Sequence, residues 1–300
     1  MEFLLGVDVG GTKIAVGSMD STGNLLHSAS ISSISDSQND LWERLEDVSR
    51  EIIEKTQGNL TGIGIGSAGP INIKNGTVSP VNIAVWREFP LVKSFKSAFE
   101  CEKVQMHGDA IAMTHAEYKF GAGKGAQNMI GLVVSTGIGG GLVLNNELQV
   151  GETGNAGYFG HSTIYTDGET CPCGRKGCVE VYASGPHMVR KAKNMGWSNS
   201  SDDFLVLAES ARTGNEIAIK AIADGADALA VGIVNVAATV DVGLVVVGGG
   251  VSRAGDVYWS PLLSAIKRRA EGIEFLSDMQ VRPAMLHSDA GVIGAALAAL

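Results

Sequence analysis

One pattern occurs twice in this chain, and it narrows the folds open to it. A strand runs into a glycine turn and the chain returns as a second strand. Residues 3–9 (Phe-Leu-Leu-Gly-Val-Asp-Val) read as a buried strand, Gly10 and Gly11 turn the chain, and residues 13–19 run back. The pattern restarts at residues 130–135, with a glycine loop over 137–141 and a returning strand over 142–144. Between the copies, Leu41, Trp42, Leu45, Val48, Ile52 and Ile53 recur at helical spacing and predict a helix over 38–56. Ser37 and Asp40 read as its capping box. Two weakly similar α/β halves fit this layout better than one continuous sheet. A length of 300 residues also exceeds what one compact core usually holds.

The remaining pattern continues the alternation. Residues 61–66 and 104–107 read as strands, 71–79 as a hairpin around Asn75-Gly76, and 91–100 and 109–120 as helices. A long Ala-rich helix is predicted over 215–240. A strand over 242–247 then runs into Gly248-Gly249-Gly250, and helices follow at 260–271 and 289–299. No flexible linker is evident.

The glycine turns carry the first chemistry. In Asp8-Val9-Gly10-Gly11-Thr12-Lys13 a strand delivers a carboxylate beside backbone N–H groups that glycine leaves uncovered. Thr12 adds a hydroxyl. Such a turn cradles phosphate, with Asp8 placed to hold Mg²⁺ directly or through water. A plain hairpin turn is the alternative. Ser135-Thr136-Gly137-Ile138-Gly139-Gly140-Gly141 has the same logic, and two such loops facing across a cleft can hold a polyphosphate. Gly64-Ile65-Gly66-Ser67-Ala68-Gly69 matches dinucleotide-binding spacing, but Pro70 and a hairpin follow where that fold needs a helix. No P-loop motif occurs.

The second chemistry is metal binding. His161, Cys171, Cys173 and Cys178 are three thiols and an imidazole within a short stretch. That is the closed, four-ligand pattern of a structural zinc site, with no position left for a catalytic water. Tyr158 and Glu180 bracket it. Glu180 reads either as a pocket carboxylate aimed by the metal or as an exposed helix start. Asp109 follows a strand and opens a helix. It can accept a proton from an attacking hydroxyl or simply cap the helix. His27, His107, His115, His187 and His287 show no ligand spacing.

Charge and composition exclude other classes. A net charge of −9 argues against nucleic-acid binding, which needs a basic face. The N-terminal residues show no basic export signal, and the uncharged run over 125–146 is too polar and glycine-rich for a membrane helix. A cytoplasmic protein without nucleic-acid or membrane partners is expected.

Together these motifs resemble the ROK family of repressors and sugar kinases. The resemblance rests on Asp8-x-Gly10-Gly11-Thr12-Lys13, Ser135-Thr136-Gly137-x-Gly139-Gly140-Gly141, Gly160-His161 and Cys171-x-Cys173-Gly174-x-x-Gly177-Cys178-x-Glu180. Asn82 with Trp86, Val247-Gly248-Gly249-Gly250 and Asp289-Ala290-Gly291-Val292-Ile293-Gly294-Ala295-Ala296 are similar to its remaining blocks. It implies a two-domain actin/hexokinase-like ATPase fold of ribonuclease H-like type. The small domain would take 1–110 plus 289–300, and the large domain 111–288 with the zinc site. It implies ATP with Mg²⁺ held by Asp8, Gly10, Gly11, Thr12, Lys13, Thr136, Gly137 and Gly139, with Gly249 and Gly250 near the adenosine. Asp109 becomes the catalytic base. The sugar pocket would hold Asn82, Gly69, Gly108, Asp109, Tyr158, His161 and Glu180, with His161 also ligating zinc. A homodimer or higher homo-oligomer is implied. The repressors carry an N-terminal DNA-binding motif for which no room is expected before residue 3.

Two positions depart from the family pattern. Gly108 stands where the family usually has Asn, and Tyr158 where it usually has Glu; both groups normally bond the sugar. Glucokinase-like transfer to O6 is the first expectation. An N-acetylmannosamine or other aminosugar kinase, and a non-catalytic sugar sensor, are the alternatives.

Overall fold

The unbroken buried run from Phe3 to Val7 places β1 (Glu2–Val9) inside a sheet. In the computed structural model, which describes residues 1–300, β1 is the central strand of five. β2 (Lys13–Met19) and β3 (Leu25–Ser32) follow it as an antiparallel meander. β4 (Asn59–Ser67) and β7 (Val104–Gly108) add on its other side in parallel, giving the order β3-β2-β1-β4-β7. α1 (Gln38–Thr56) covers this sheet with Leu41, Leu45, Val48 and Ile52 buried. Only half of the expected capping box forms. Ser37 accepts the Asp40 N–H at 3.4 Å, while the Asp40 carboxylate accepts from the Ser35 hydroxyl. The hairpin of β5 (Ile71–Asn72) and β6 (Thr77–Val78) and the short α2 (Leu91–Phe99) complete this half.

The second half repeats the topology. β8 (Met129–Val134), β9 (Ile138–Leu144) and β10 (Glu147–Gln149) form the meander. β11 (Leu244–Gly248) and β12 (Gln280–Pro283) add in parallel, so the order is β10-β9-β8-β11-β12. α4 (Glu180–Ala183), α5 (Gly185–Asn194), α6 (Phe204–Arg212), α7 (Glu216–Val240) and α8 (Asp256–Arg269) lie in this half. Its core joins Ile130, Leu132 and Val247 of the sheet to Met188, Leu229, Ile233 and Leu262 of the helices. α8 starts four residues earlier than its predicted beginning and carries Pro261 inside its first turns. α4 to α6, β10 and β12 were not expected. No helix is long and apolar enough to cross a membrane.

Two helices join the halves. α3 (Asp109–Phe120) packs on β8 and β9, and α9 (Ala290–Leu297) packs on β1 and β4. They also pack on each other, so closely that a side chain at Gly294 would collide with the Ala112 carbonyl.

The glycine loop expected over 137–141 is a correction. Only the turn from Ser135 to Gly137 lies outside the strands, because β9 already begins at Ile138. Gly139 and Gly141 are strand residues whose hydrogens face α3. A Cβ on Gly139 would lie 2.7 Å from the Ala110 Cβ, and one on Gly141 2.5 Å from the Thr114 Oγ1. Their glycine character is set by helix packing, a role a local motif does not distinguish from phosphate binding.

Candidate active site

Parallel pairing of β1, β4 and β7 brings their C-terminal ends to one edge. Asp8 pairs with Gly66, and Ser67 pairs with Gly108, the residue before Asp109. The two carboxylates therefore open into the same cleft. Burial pushes the Asp8 carboxyl up to about 7, helped by repulsion from Asp109 and opposed by Lys13. The Asp109 carboxyl is also raised above the ordinary carboxylate range. Burial is the main cause, and the Ala110 N–H, donating to Oδ1 at 2.7 Å, opposes it. Asp109 is exposed to solvent in the cleft, yet the groups packed around its carboxyl remove enough water to raise its pKa. A carboxylate raised in this way is better matched to accepting a proton near neutral pH.

The first glycine turn sits beside Asp8. The Gly10 N–H donates to the Lys13 carbonyl at 3.0 Å, and Thr12 and Lys13 are exposed. Asn82 lies on Gly11, where a Cβ would come 2.8 Å from its Nδ2. Gly69 is adjacent: Ala68 donates to the Val9 carbonyl at 2.9 Å, and Val81 donates to the Gly69 carbonyl at 3.2 Å. Trp86, fully buried and stacked on Phe89 at 4.6 Å, anchors the segment that carries Asn82.

The second turn lies against the starts of α4 and α5: a Cβ on Gly137 would come 2.7 Å from Glu180 Oε2, and the Gly185 N–H donates to the Ser135 carbonyl at 2.9 Å. The Ser135 N–H donates to the Gly137 carbonyl at 2.9 Å, leaving Thr136 exposed. Gly249 packs on the Val134 carbonyl, and a Cβ on Gly250 would lie 3.5 Å from the Ser135 hydroxyl. The turns ending β8 and β11 are thus neighbours. Contact of Gly139 with Ala110 ties this wall to Asp109.

The four metal-ligand candidates converge. Their donor atoms all lie within 4.8 Å of one another. Two thiolates on a tetrahedral zinc, each about 2.3 Å from the metal, sit roughly 3.8 Å apart. The Cys173 and Cys178 sulfurs are 3.7 Å apart, and Cys171 Sγ is 3.4 Å from His161 Nδ1. Donor set and spacing both fit zinc. Burial pushes the Cys178 thiol up to about 12 and raises Cys171, while the Arg175 backbone N–H lowers Cys173. A bound cation is what would favour all three thiolates.

His161 divides its two nitrogens. Nδ1 faces the cysteines, and Nε2 lies 3.9 Å from Glu180 Oε1. Glu180 does open a helix, α4, but it is not exposed: its Oε2 accepts the Ile138 N–H at 2.8 Å. Tyr158 packs on His161 with ring centroids 4.4 Å apart and ring planes tilted by 35°.

Three residues were given no individual role by the sequence. Gly291 at the start of α9 lies against the Asp8 carboxylate. Val81 stands exposed next to Asn82. Glu117, fully buried on α3, accepts N–H groups from Ala122, Met285 and Leu286 at 2.8, 3.1 and 2.8 Å. A Glu near the end of a helix ordinarily faces solvent, so no local signal marks it.

The ROK family pattern matches residues 4–300. The chain is 33% identical to a glucokinase of Streptomyces coelicolor, over 99% of this chain and 97% of the other. It is 31% identical to an N-acetylmannosamine kinase of Haemophilus influenzae, over 97% of this chain and 93% of that one. A solved ROK family glucokinase from Streptomyces griseus, in complex with glucose and AMPPNP, has a TM-score of 0.83 at 32% identity, covering 98% of each chain. Fold, cleft and relatives together define an ATP-dependent sugar kinase of the actin/hexokinase-like ATPase type. The chain belongs to the ROK family.

Proposed function

We propose that this protein transfers the γ-phosphoryl group of Mg·ATP to the O6 hydroxyl of a hexose. The observation that carries the reading is the placement of Asp109. It opens α3 at the cleft floor, has a raised pKa, and lies between the first glycine turn and the wall formed by β9.

Gly10, Gly11, Thr12 and Lys13 on one wall, and Thr136 and Gly137 on the other, hold the phosphates. Gly139 supports the second turn from within β9. Gly249 and Gly250 flank the adenosine. Asp8 holds the Mg²⁺ that accompanies ATP, directly or through water, and that cation offsets charge on the phosphates. Asn82, Gly69, Gly108, Tyr158, His161 Nε2 and Glu180 surround the sugar. Asp109 accepts the proton of the attacking hydroxyl. The sugar oxygen then bonds the γ-phosphorus, and ADP leaves with the electrons of the broken P–O bond. Most of the acceleration is positioning and charge neutralisation.

His161, Cys171, Cys173 and Cys178 hold a structural zinc, which locks the loop carrying Tyr158 and Glu180. The same reading takes 1–110 with 289–300 and 111–288 as two domains closing on the cleft, working as a homodimer or higher homo-oligomer in the cytoplasm.

The test is ATP consumption against a panel of hexoses and N-acetylhexosamines, with the product identified by NMR. A 6-phosphate product supports the proposal. Sugar binding without turnover for every sugar replaces it with a sensor.

A further inference from the structure

β7 is the last strand of the first sheet, so one of its edges has no partner strand. The Ile63 N–H donates to the Lys103 carbonyl at 2.9 Å, which fixes the phase of the parallel ladder. By the alternation of that ladder, Val104 and Met106 turn their backbone groups away from β4. The Val104 N–H is met by the Glu102 carbonyl at 3.0 Å, whereas no turn or loop carbonyl meets the Met106 N–H.

A cavity of about 300 Å³ lies along this edge, lined by β7, α2 and the β5–β6 hairpin. That volume suits a small molecule better than a peptide strand. Lys74 of the hairpin lines it, as do Lys93 and Lys96, one turn apart on α2, and no carboxylate does. Lys74 and Lys93 make no ion pair. Lys96 has only a 3.4 Å contact with Glu102, whose side chain is 97% exposed. Three ammonium groups therefore share one cavity without a counter-charge in its lining, in a chain of net charge −9. Ile73 and Val92 give the same cavity apolar walls.

We propose that this cavity is a second, non-catalytic ligand site that binds a phosphate group. The lysines hold the phosphate as point charges, the Met106 N–H donates to one of its oxygens, and the apolar walls take a small carbon body. Two sources share that chemistry: free inorganic phosphate and the phosphate monoester of a small metabolite. None of the groups assigned to the cleft lines the cavity, so the proposal does not rest on the kinase reading.

β7 also leads into Asp109, so binding in the cleft must be told apart. Inorganic phosphate, glycerol 3-phosphate and glucose 6-phosphate are titrated by calorimetry with Mg·ADP present at saturation. The amide resonances of Met106 and Gly76 are followed by NMR in the same titrations. The proteins are native, Lys74→Glu, Lys93→Glu and the charge-conserving Lys93→Arg, with melting temperature confirming that each is folded. Saturable binding of at least one probe is expected, with a shift of the Met106 amide. Each charge reversal should weaken it roughly tenfold or more, and Lys93→Arg should restore it. Tighter binding of a monoester than of inorganic phosphate assigns the site to a metabolite, and equal affinity assigns it to the free ion. Lysines that merely guard an unpaired strand edge give no saturable binding, and that result overturns the proposal. So does a Kd unchanged by both charge reversals, which places the probe in the cleft. Sedimentation showing that Lys93→Glu dissociates an oligomer makes this edge a subunit interface and overturns it as well.

Discussion

Glu180 and Ile138 are joined by a 2.8 Å hydrogen bond from the Ile138 N–H to the Glu180 carboxylate. Ile138 opens β9 straight after the Ser135–Gly137 turn, and the other Glu180 oxygen lies 3.9 Å from His161. One carboxylate therefore links the His/Cys donor cluster to the turn proposed for phosphate, so the proposed sugar pocket and the proposed nucleotide wall share a support.

That link separates two substitutions. Glu180→Gln keeps an oxygen for the Ile138 N–H and is expected to raise sugar KM alone. Glu180→Ala leaves the N–H without its charged acceptor and is expected to raise ATP KM as well. A charged hydrogen bond contributes about 1.5–3 kcal/mol, so each affected constant should move roughly tenfold or more. Steady-state kinetics with both substrates varied reads the split.

Metal removal should act on the sugar side first. Chelation of the metal at His161, Cys171, Cys173 and Cys178 is expected to loosen the loop between them and raise sugar KM, with one zinc lost per chain. Retention should fall as pH falls, because protons compete for the thiolates and Cys178 is the hardest to ionise. Zinc analysis across pH, beside limited proteolysis of residues 162–178, checks both.

Asp8 carries a pH-dependent cost in the nucleotide-free and Mg²⁺-free protein. Its carboxyl titrates at about 7 in the fold against an ordinary 3.8. The folded state binds the proton more tightly, so this group's contribution to stability falls as pH rises from 3.8 to about 7 and is flat above. Asp8→Asn is therefore expected to melt higher than the native protein, by a margin that grows across that window. Melting curves at several pH values measure it, and added Mg²⁺ should shrink the difference.

Glu117 is expected to be a stability residue. Its carboxylate satisfies three backbone N–H groups and ties the end of α3 to the segment before α9. Glu117→Ala leaves those donors unpaired and should cost about 3 kcal/mol or more, with Glu117→Gln between the two. Urea denaturation gives the values.

Hydrophobic period and turn chemistry carry much of this architecture in plain view. Spacing alone places a helix over 38–56, and α1 runs Gln38–Thr56. The repeated strand–turn–strand opening foretells two sheets of one topology. The cysteine spacing foretells a converging donor set, since four ligands within 18 residues of chain have little freedom to sit apart. What stays hidden depends on contacts between distant segments. Gly139 and Gly141 read as loop residues because the pressure on them comes from α3. The bond between Glu180 and Ile138 joins residues 42 positions apart, and the partners of Glu117 include residues 168 and 169 positions away. No local pattern encodes such pairings.

The role of Asp109 decides the account. Product formation from Mg·ATP and the best sugar of the panel should be followed by phosphorus NMR for the native protein and Asp109→Asn at equal zinc content. The expected result is loss of sugar phosphate by about two to four orders of magnitude, with sugar binding retained and melting temperature unchanged or raised. Turnover by Asp109→Asn at near-native rate would contradict it.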